Sequence, residues 1–226
     1  MGKRGPKPKG KVELKWSPEF AYAIGLLVTD GCLSKNGRHI LFVSKDDEQI
    51  QNFLDCLYIK DIKIGKTFSG YKGSWAYRVQ FGDILFYKFL ESIGLTSAKS
   101  KTIGRIDIPK EYFFDFLRGC FDGDGCFYSY WDPRWRSSHM FYIEFISASK
   151  NHIDWLQSEL FVKLGVKGHI GKDGRGATYQ MKYAKKEALV IIKKMYYTRR
   201  VVCLSRKRVK VEKALAVEKK QQRRYS

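Results

Sequence analysis

Residues 20–31 read FAYAIGLLVTDG and residues 113–125 read FFDFLRGCFDGDG, so a short apolar stretch ending in Asp-Gly occurs twice. The copies lie ninety-four residues apart, with Gly25 aligned to Gly119, Asp30 to Asp124 and Gly31 to Gly125. Self-similarity at a fixed spacing marks a duplicated unit and takes precedence over local readings. An acid at the C-terminal end of a helix faces the negative end of the helix dipole, which costs stability. Two such acids point to a positive group bound between them.

The flanks of the two stretches match as well. Ser17-Pro18-Glu19 forms a helix start, with Ser as N-cap and Pro at the first helical position, and Ile108-Pro109-Lys110-Glu111 opens the second copy similarly. After each Asp-Gly the pattern changes to alternation, predicting a hairpin. CLSKNGRHILFVS carries Asn36-Gly37, a two-residue turn signal, and CFYSYWDPRWRSSHMFYIEFIS carries a longer turn around Asp132-Pro133. An amphipathic helix follows in each half, with Ile50, Phe53, Leu54 and Leu57 or Ile153, Leu156, Leu160 and Val162 on its apolar face. A second strand pair comes next (KIGKTFSG with WAYRVQFG, VKGHIGKDG with ATYQMKYA), then an apolar helix, ILFYKFLESIGL or EALVIIKKMYY, and a basic coda. The order is α-β-β-α-β-β-α, twice, which predicts an α+β fold. Its divisions are a basic N-terminal arm at 1–15, repeats at 16–107 and 108–210, and a basic tail at 211–226.

The chain of 226 residues carries a formal net charge of +20, and its aromatic content of 15% excludes a disordered polyelectrolyte. This charge calls for a polyanionic partner, nucleic acid foremost. It is concentrated at the ends: residues 1–15 hold six Lys/Arg against one Glu, and residues 199–226 hold eleven against two. The Pro-Gly spacing of KRGPKPKGK forbids a helix and is similar to extended minor-groove arms. Five cysteines without Cys-x-x-Cys spacing predict reduced, buried thiols, and the four scattered histidines form no zinc pattern. No signal peptide opens the chain, and its longest apolar stretch is far below the roughly 20 residues of a membrane helix. We therefore expect a soluble, intracellular protein with no membrane contact.

Ala21, Gly25 and Thr29 form a small-residue stripe, matched by Gly119 and Gly123, and small side chains let two backbones approach closely. If the stripes pack about a two-fold axis, Asp30 and Asp124 come together. Two adjacent carboxylates repel unless one takes a proton or a divalent cation lies between them. Magnesium suits an oxygen-rich site completed by phosphate and water. Asp122 pairs with Val28 rather than with Asp30, so it reads as a structural polar residue. A calcium loop over Asp122–Gly125 is rejected, because Cys126 and Tyr128 stand where oxygen ligands belong.

AIGLLVTDG and LRGCFDGDG resemble the two motifs of the LAGLIDADG homing endonucleases in their single-chain, two-repeat form, and the likeness extends over roughly residues 16–210. The resemblance implies two antiparallel four-stranded sheets forming a DNA-binding saddle, with the motif helices at the central interface. It implies a monomer that needs no protein partner, cuts both strands of double-stranded DNA, and uses Mg2+ or Mn2+ held by Asp30 and Asp124. It also places a lysine late in each repeat near the metals, best matched here by Lys99 and Lys207. Lys45 resembles a further basic position whose second-half match is Ala148, and Ser44 and Ser147 stand where relatives often have Gln.

Base reading falls by this resemblance to alternating side chains on the sheets, since a β-ribbon fits the major groove. Expected contacts are Ser34, Lys35, Asn36, Arg38, Lys45, Arg78 and Gln80 in the first half, and Arg134, Arg136, Ser138, Lys172, Arg175, Gln180 and Lys182 in the second. Trp131 and Trp135 are candidates for stacking. Two unequal halves imply a long, non-palindromic target. The expected activity is metal-dependent phosphodiester hydrolysis that promotes insertion of the enzyme's own coding element. The alternative is a regulator or an RNA splicing maturase that kept the fold and lost catalysis. Met1 and the basic Gln222-Arg223-Arg224 end, without a terminal Asn, read as a free-standing rather than intein-embedded protein.

Overall fold

Ser17 caps the first helix as its sequence demands, its Oγ accepting the Phe20 N–H at 3.1 Å, and α1 runs Pro18–Asp30. Gly31 turns the chain into extended backbone and begins β1, Gly31–Leu33. The structure, a computed structural model, describes residues 10–69, 73–135, 137–174 and 176–225, with backbone alone for 69 and 222–225. The first nine residues of the basic arm, Arg136 and Arg175 lie outside the described residues.

The first repeat continues with β2 (His39–Ser44), α2 (Asp47–Cys56), β3 (Gly65–Ser69), β4 (Ser74–Gly82), α3 (Ile84–Ser92) and a 3-10 turn over Lys99–Lys101. The second repeats the order with α4 (Phe113–Asp124), β5 (Cys126–Trp131), β6 (His139–Ser147), α5 (Lys150–Leu164), β7 (His169–Lys172), β8 (Tyr179–Ala184) and α6 (Lys185–Met195). Each half forms a four-stranded antiparallel sheet, ordered β1-β2-β4-β3 and β5-β6-β8-β7. Strand alternation puts Ile40, Phe42, Val79 and Phe81, and Phe141, Ile143, Met181 and Tyr183, into one buried core beneath the helices. The opposite face of each sheet is open to solvent.

The motif helices meet at backbone distance. A Cβ on Gly25 would lie 2.2 Å from the Phe116 carbonyl oxygen, and one on Gly119 would lie 2.2 Å from that of Tyr22. Only glycine fits at either position. Beside this contact Asp122, fully buried, accepts the Tyr22 hydroxyl at 2.8 Å and the Leu204 N–H at 2.7 Å. Arg118, also buried, pairs with Asp115 at 2.8 Å and donates to the Val202 and Met195 carbonyls, so the segment after α6 is pinned to α4.

Two segments cross between the halves. The chain leaving the first repeat is held by the second: Ser149 Oγ donates to the Ile103 carbonyl, and His152 Nδ1 lies 2.8 Å from that of Gly104. The segment leading into the last helix is held by the first repeat. Asn52 donates to the Cys203 carbonyl, Glu48 accepts from Ser205, and Arg206 pairs with Asp46 at 2.7 Å.

Some local expectations change. The first hairpin closes through a longer loop, 34–38, because Asn36 Oδ1 accepts the Arg38 and His39 N–H groups and organises the turn itself. Val162 is 80% exposed and leaves the apolar face of α5, where Leu160 completes it. Cys32 and Cys126 are exposed, because each lies in an edge strand on its open face; Cys56 and Cys120 are buried, and all five thiols are free. The expected basic tail forms a 21-residue helix, α7 (Ser205–Tyr225), and the 210/211 division falls inside it. Val211 and Ala214 enter the core, which is why this charged stretch is ordered. Among the described residues, no helix is long and apolar enough to cross a membrane.

Candidate active site between the helix ends

Because α1 and α4 pack glycine to glycine, their C-terminal ends abut. A Cβ on Gly123 would lie 1.9 Å from Thr29 Oγ1 and 2.8 Å from Asp30 Oδ2, so the Asp30 carboxylate rests on the last turn of α4. Burial raises the Asp30 pKa to about 7, and the neighbouring Asp124 carboxylate adds to the rise. Lys207, the Thr29 hydroxyl and Lys99 draw it back. Burial also raises Asp124, against Lys99 and Lys207. The sequence-predicted quartet Asp30, Asp124, Lys99 and Lys207 is thus one electrostatically coupled group.

The two lysines differ. Lys207 enters from the first turn of α7, and its ammonium donates to the Phe121, Gly123 and Gly125 carbonyls at 2.5, 3.2 and 2.6 Å. Those three bonds use every donor it has. Its charge sits at the negative end of the α4 dipole, on carbonyls of the last turn and of the capping Gly125, that of Phe121 also accepting the Gly125 N–H. Lys99, equally buried, makes one long contact of 3.5 Å, to the Thr29 carbonyl at the end of α1. Burial lowers both pKa values, Lys207 to about 8, against the pull of the nearby carboxylates.

Gln49 completes the Asp30 side and is a residue the sequence reading did not single out. It sits in the first turn of α2, is 2% exposed, and donates from Nε2 to Asp30 Oδ2 at 3.1 Å. Ser44 Oγ donates to Gln49 Oε1 at 3.1 Å, fixing which end of the amide faces the acid. The corresponding place on α5 belongs to His152, which lines a small cavity with Asp124 and Ser147 but directs Nδ1 to the Gly104 carbonyl. Burial lowers its pKa to about 4, so its ring is neutral at physiological pH. The first acid has an amide partner and the second does not. Lys45 is exposed beyond β2, and no contact ties it to this group.

On the open face of the first sheet stand Arg78 and Gln80, and the side chains of Arg38 and Arg78 lie against Gly82 and Gly65. Lys35 and Asn36 form the adjoining hairpin tip with Ser34 at its base. On the second sheet Gln180 and Lys182 share the open face with Tyr128, Tyr130 and Tyr142. Lys182 pairs with Glu144 at 2.7 Å and lies over the Tyr128 and Tyr142 rings. Arg134 pairs with Asp132 at the second hairpin tip, beside Ser138, with Trp131 and Trp135 exposed. Lys172 is not brought together with these. It stacks over Tyr179 on the strand face shared with Met181 and Ile170.

Among the described residues no cluster of three or more His, Cys, Asp or Glu could hold a metal. The two aspartates nevertheless fit a hard divalent cation. The repulsion that raises Asp30 is what such a cation relieves, and oxygen donors completed by phosphate and water are the set magnesium accepts.

No protein-family model matches the sequence, and no curated protein matches it. Solved structures match the fold. Full-length DUF199/WhiA from Thermatoga maritima superposes with a TM-score of 0.58 at 14% identity, over 92% of this chain and 63% of that one. The chain therefore spans less than two thirds of that protein's length. The homing endonuclease I-WcaI bound to its DNA recognition sequence gives a TM-score of 0.60 at 13% identity, over 86% and 88% of the two chains. I-DmoI in complex with DNA and Mn gives 0.51 at 17%, over 80% and 98%. The fold is the two-repeat LAGLIDADG fold of these structures.

Proposed function

We propose that this chain is a divalent-metal-dependent, site-specific double-strand DNA endonuclease of the LAGLIDADG homing type, acting as a monomer on a long, non-palindromic target. The observation that carries this reading is the meeting of Asp30 and Asp124 at the abutting helix ends, with Lys99 and Lys207 buried beside them. A scaffold gains nothing from placing two acids at negative helix termini in mutual repulsion. Its solved neighbours I-WcaI and I-DmoI are structures with DNA bound, one of them with Mn.

Asp30 and Asp124 would hold the cation, which supplies Lewis-acid polarisation of the phosphate and favours ionisation of the attacking water. The chain's own residues do the rest. Gln49 fixes the orientation of the Asp30 carboxylate, so its lone pairs are set before substrate arrives. Lys99, with donors to spare, offers positive charge to the phosphate. Lys207 holds the C-terminal turn of α4, and hence Asp124, in place. Arg38, Arg78, Gln80, Gln180 and Lys182, on the open faces or their tips, are positioned to read the flanking duplex.

The second reading is a DNA-binding protein without catalysis, and the saturated coordination of Lys207 favours it. A nicking assay on supercoiled DNA carrying a randomised insert, with Mg2+, separates the two. Linear product from the native chain, and none from Asp30→Asn or Asp124→Asn variants that still bind, is expected. Undiminished cutting by either variant, or binding without any cutting by the native chain, sinks the endonuclease assignment.

A further inference from the structure

The stretch that carries the last two helices is the most basic described part of the chain, even with Lys207 buried in the central group and Arg206 paired with Asp46. Residues 185–221 hold thirteen Lys/Arg against three Glu, a net +10 of the chain's +20. The α6 and α7 helices both pack on the core face of the second sheet, through Ile191, Ile192, Val211 and Ala214. Their outward faces therefore form one surface on the back of this repeat. Lys186, Lys193, Lys194, Lys210, Lys213 and Lys220 are exposed there, and among the described residues none of them forms an ion pair.

The acids of this surface are already engaged. Glu187 accepts the Lys167 and Gly168 N–H groups, Glu212 pairs with Arg208, and Glu218 pairs with Lys185. The open face of the same sheet shows the opposite arrangement, its Lys182 being neutralised by Glu144. A large unbalanced charge thus remains on the back. A membrane is a poor occupant, because α7 turns Val211 and Ala214 into the core and leaves Val209 as its one large apolar side chain exposed among the described residues, too little for a lipid-facing stripe. A single strand calls for stacking platforms. Among the described residues the one exposed aromatic here, Tyr197, has its hydroxyl committed to Asp115. Lys210, Lys213 and Lys220 are fixed along about 15 Å of rigid helix, beside a second lysine-bearing helix, a spacing suited to a stiff phosphate backbone.

The geometry points to a second binding surface for double-stranded DNA on the α6–α7 back of the second repeat, so that one molecule holds two duplexes. This rests on the proposed reading insofar as the first duplex occupies the open sheet faces. The contacts are to phosphate and carry no sequence information. The consequence is direct transfer of the protein from one duplex to another during target search.

The test uses the full chain in EDTA, with an immobilised duplex and a fluorescent duplex, and a Lys210→Glu/Lys213→Glu/Lys220→Glu variant. Wild type should retain the fluorescent duplex, and the variant should lose at least tenfold of that retention while binding the first duplex unchanged. The milder Lys→Gln triple variant should lose part of it, and the salt dependence of second-duplex binding should fall by up to about one power of salt concentration per lysine. Failure of wild type to capture the second duplex, equal capture by the charge-reversed variant, or capture of duplex RNA or anionic vesicles in place of DNA overturns the inference. Cleavage is scored separately with Mg2+. Bridging without cutting sinks the nuclease reading alone, and cutting without bridging sinks this inference alone.

Discussion

Gly25 and Gly119 touch across the motif-helix interface so closely that a Cβ on Gly25 would lie 2.9 Å from the Gly119 Cα. The contact is main chain to main chain, so no side chain can rotate away to make room. Gly119→Ala should cost about 3 kcal/mol or more, the upper range for overpacking. Gly104→Ala, where a Cβ meets nothing within 4 Å, should stay within about 0.5 kcal/mol of wild type. Urea unfolding of the two variants checks the contrast; equal stabilities would place the helices further apart than described.

The raised Asp30 pKa makes stability depend on pH. A carboxyl whose folded pKa exceeds its unfolded value gives its full contribution below about 4 and loses it as pH rises through about 7. Asp30→Asn should therefore be near neutral at pH 4 and stabilise the metal-free protein by a few kcal/mol at pH 8. Millimolar Mg2+ should narrow the difference by stabilising wild type alone. Metal affinity should rise with pH up to about 7 and then level off, since the proton and the cation compete for one carboxylate. Calorimetric titration between pH 5 and 8 reads this directly, and a flat profile would remove the coupling between the two acids.

Lys99 and Lys207 should separate by phenotype. Lys207→Met removes the ammonium from the Gly123 and Gly125 carbonyls and leaves that of Phe121 only its Gly125 N–H bond, and should lower the unfolding free energy by about 2 kcal/mol or more. Lys99→Met should barely change stability yet reduce cleavage by tenfold or more. Melting temperatures and single-turnover rates distinguish the two effects, and a reversed pattern would exchange their roles.

Gln49 predicts unequal cutting of the two strands. Gln49→Leu removes the only side-chain amide that donates to Asp30 among the described residues, so nicked circles should accumulate before linear product. His152→Ala should not produce the same nicked strand. Mapping nicks by strand-specific end labels settles the matter; loss of both strands together would make Gln49 a general structural residue.

The duplicated helix, the Ser17 cap and the strand order are legible in the sequence because they rest on local periodicity and on residues with one physical use, such as Ser17 before Pro18 or Gly31 after Asp30; the second copy departs from the expected start, since Lys110–Tyr112 form a 3-10 turn and α4 begins at Phe113 without a side-chain cap. The pairing of Asp30 with Asp124 was legible through symmetry. Gln49 was not, because a polar residue in the first turn of an amphipathic helix reads as solvated, and only the tertiary position of Ser44 and Asp30 buries it. The α7 helix was hidden for a related reason. Its charge density suggests a solvated tail, whereas Lys207, Val211 and Ala214 point one face inward. Asn36-Gly37 misled in the other direction: the Asn36 side chain replaced main-chain turn bonds and lengthened the loop.

The reciprocal crossing of segments gives this single chain the wiring of a domain-swapped dimer. Ile103 and Gly104, leaving the first repeat, are held by Ser149 and His152 of the second, while Cys203 and Ser205 are held by Asn52 and Glu48 of the first. Each half thus finishes only in the other's grasp, and a lysine of the central group follows or precedes each crossing. A chain severed between the repeats would yield fragments that mature as a complementing pair, with neither able to assemble the charged centre by itself.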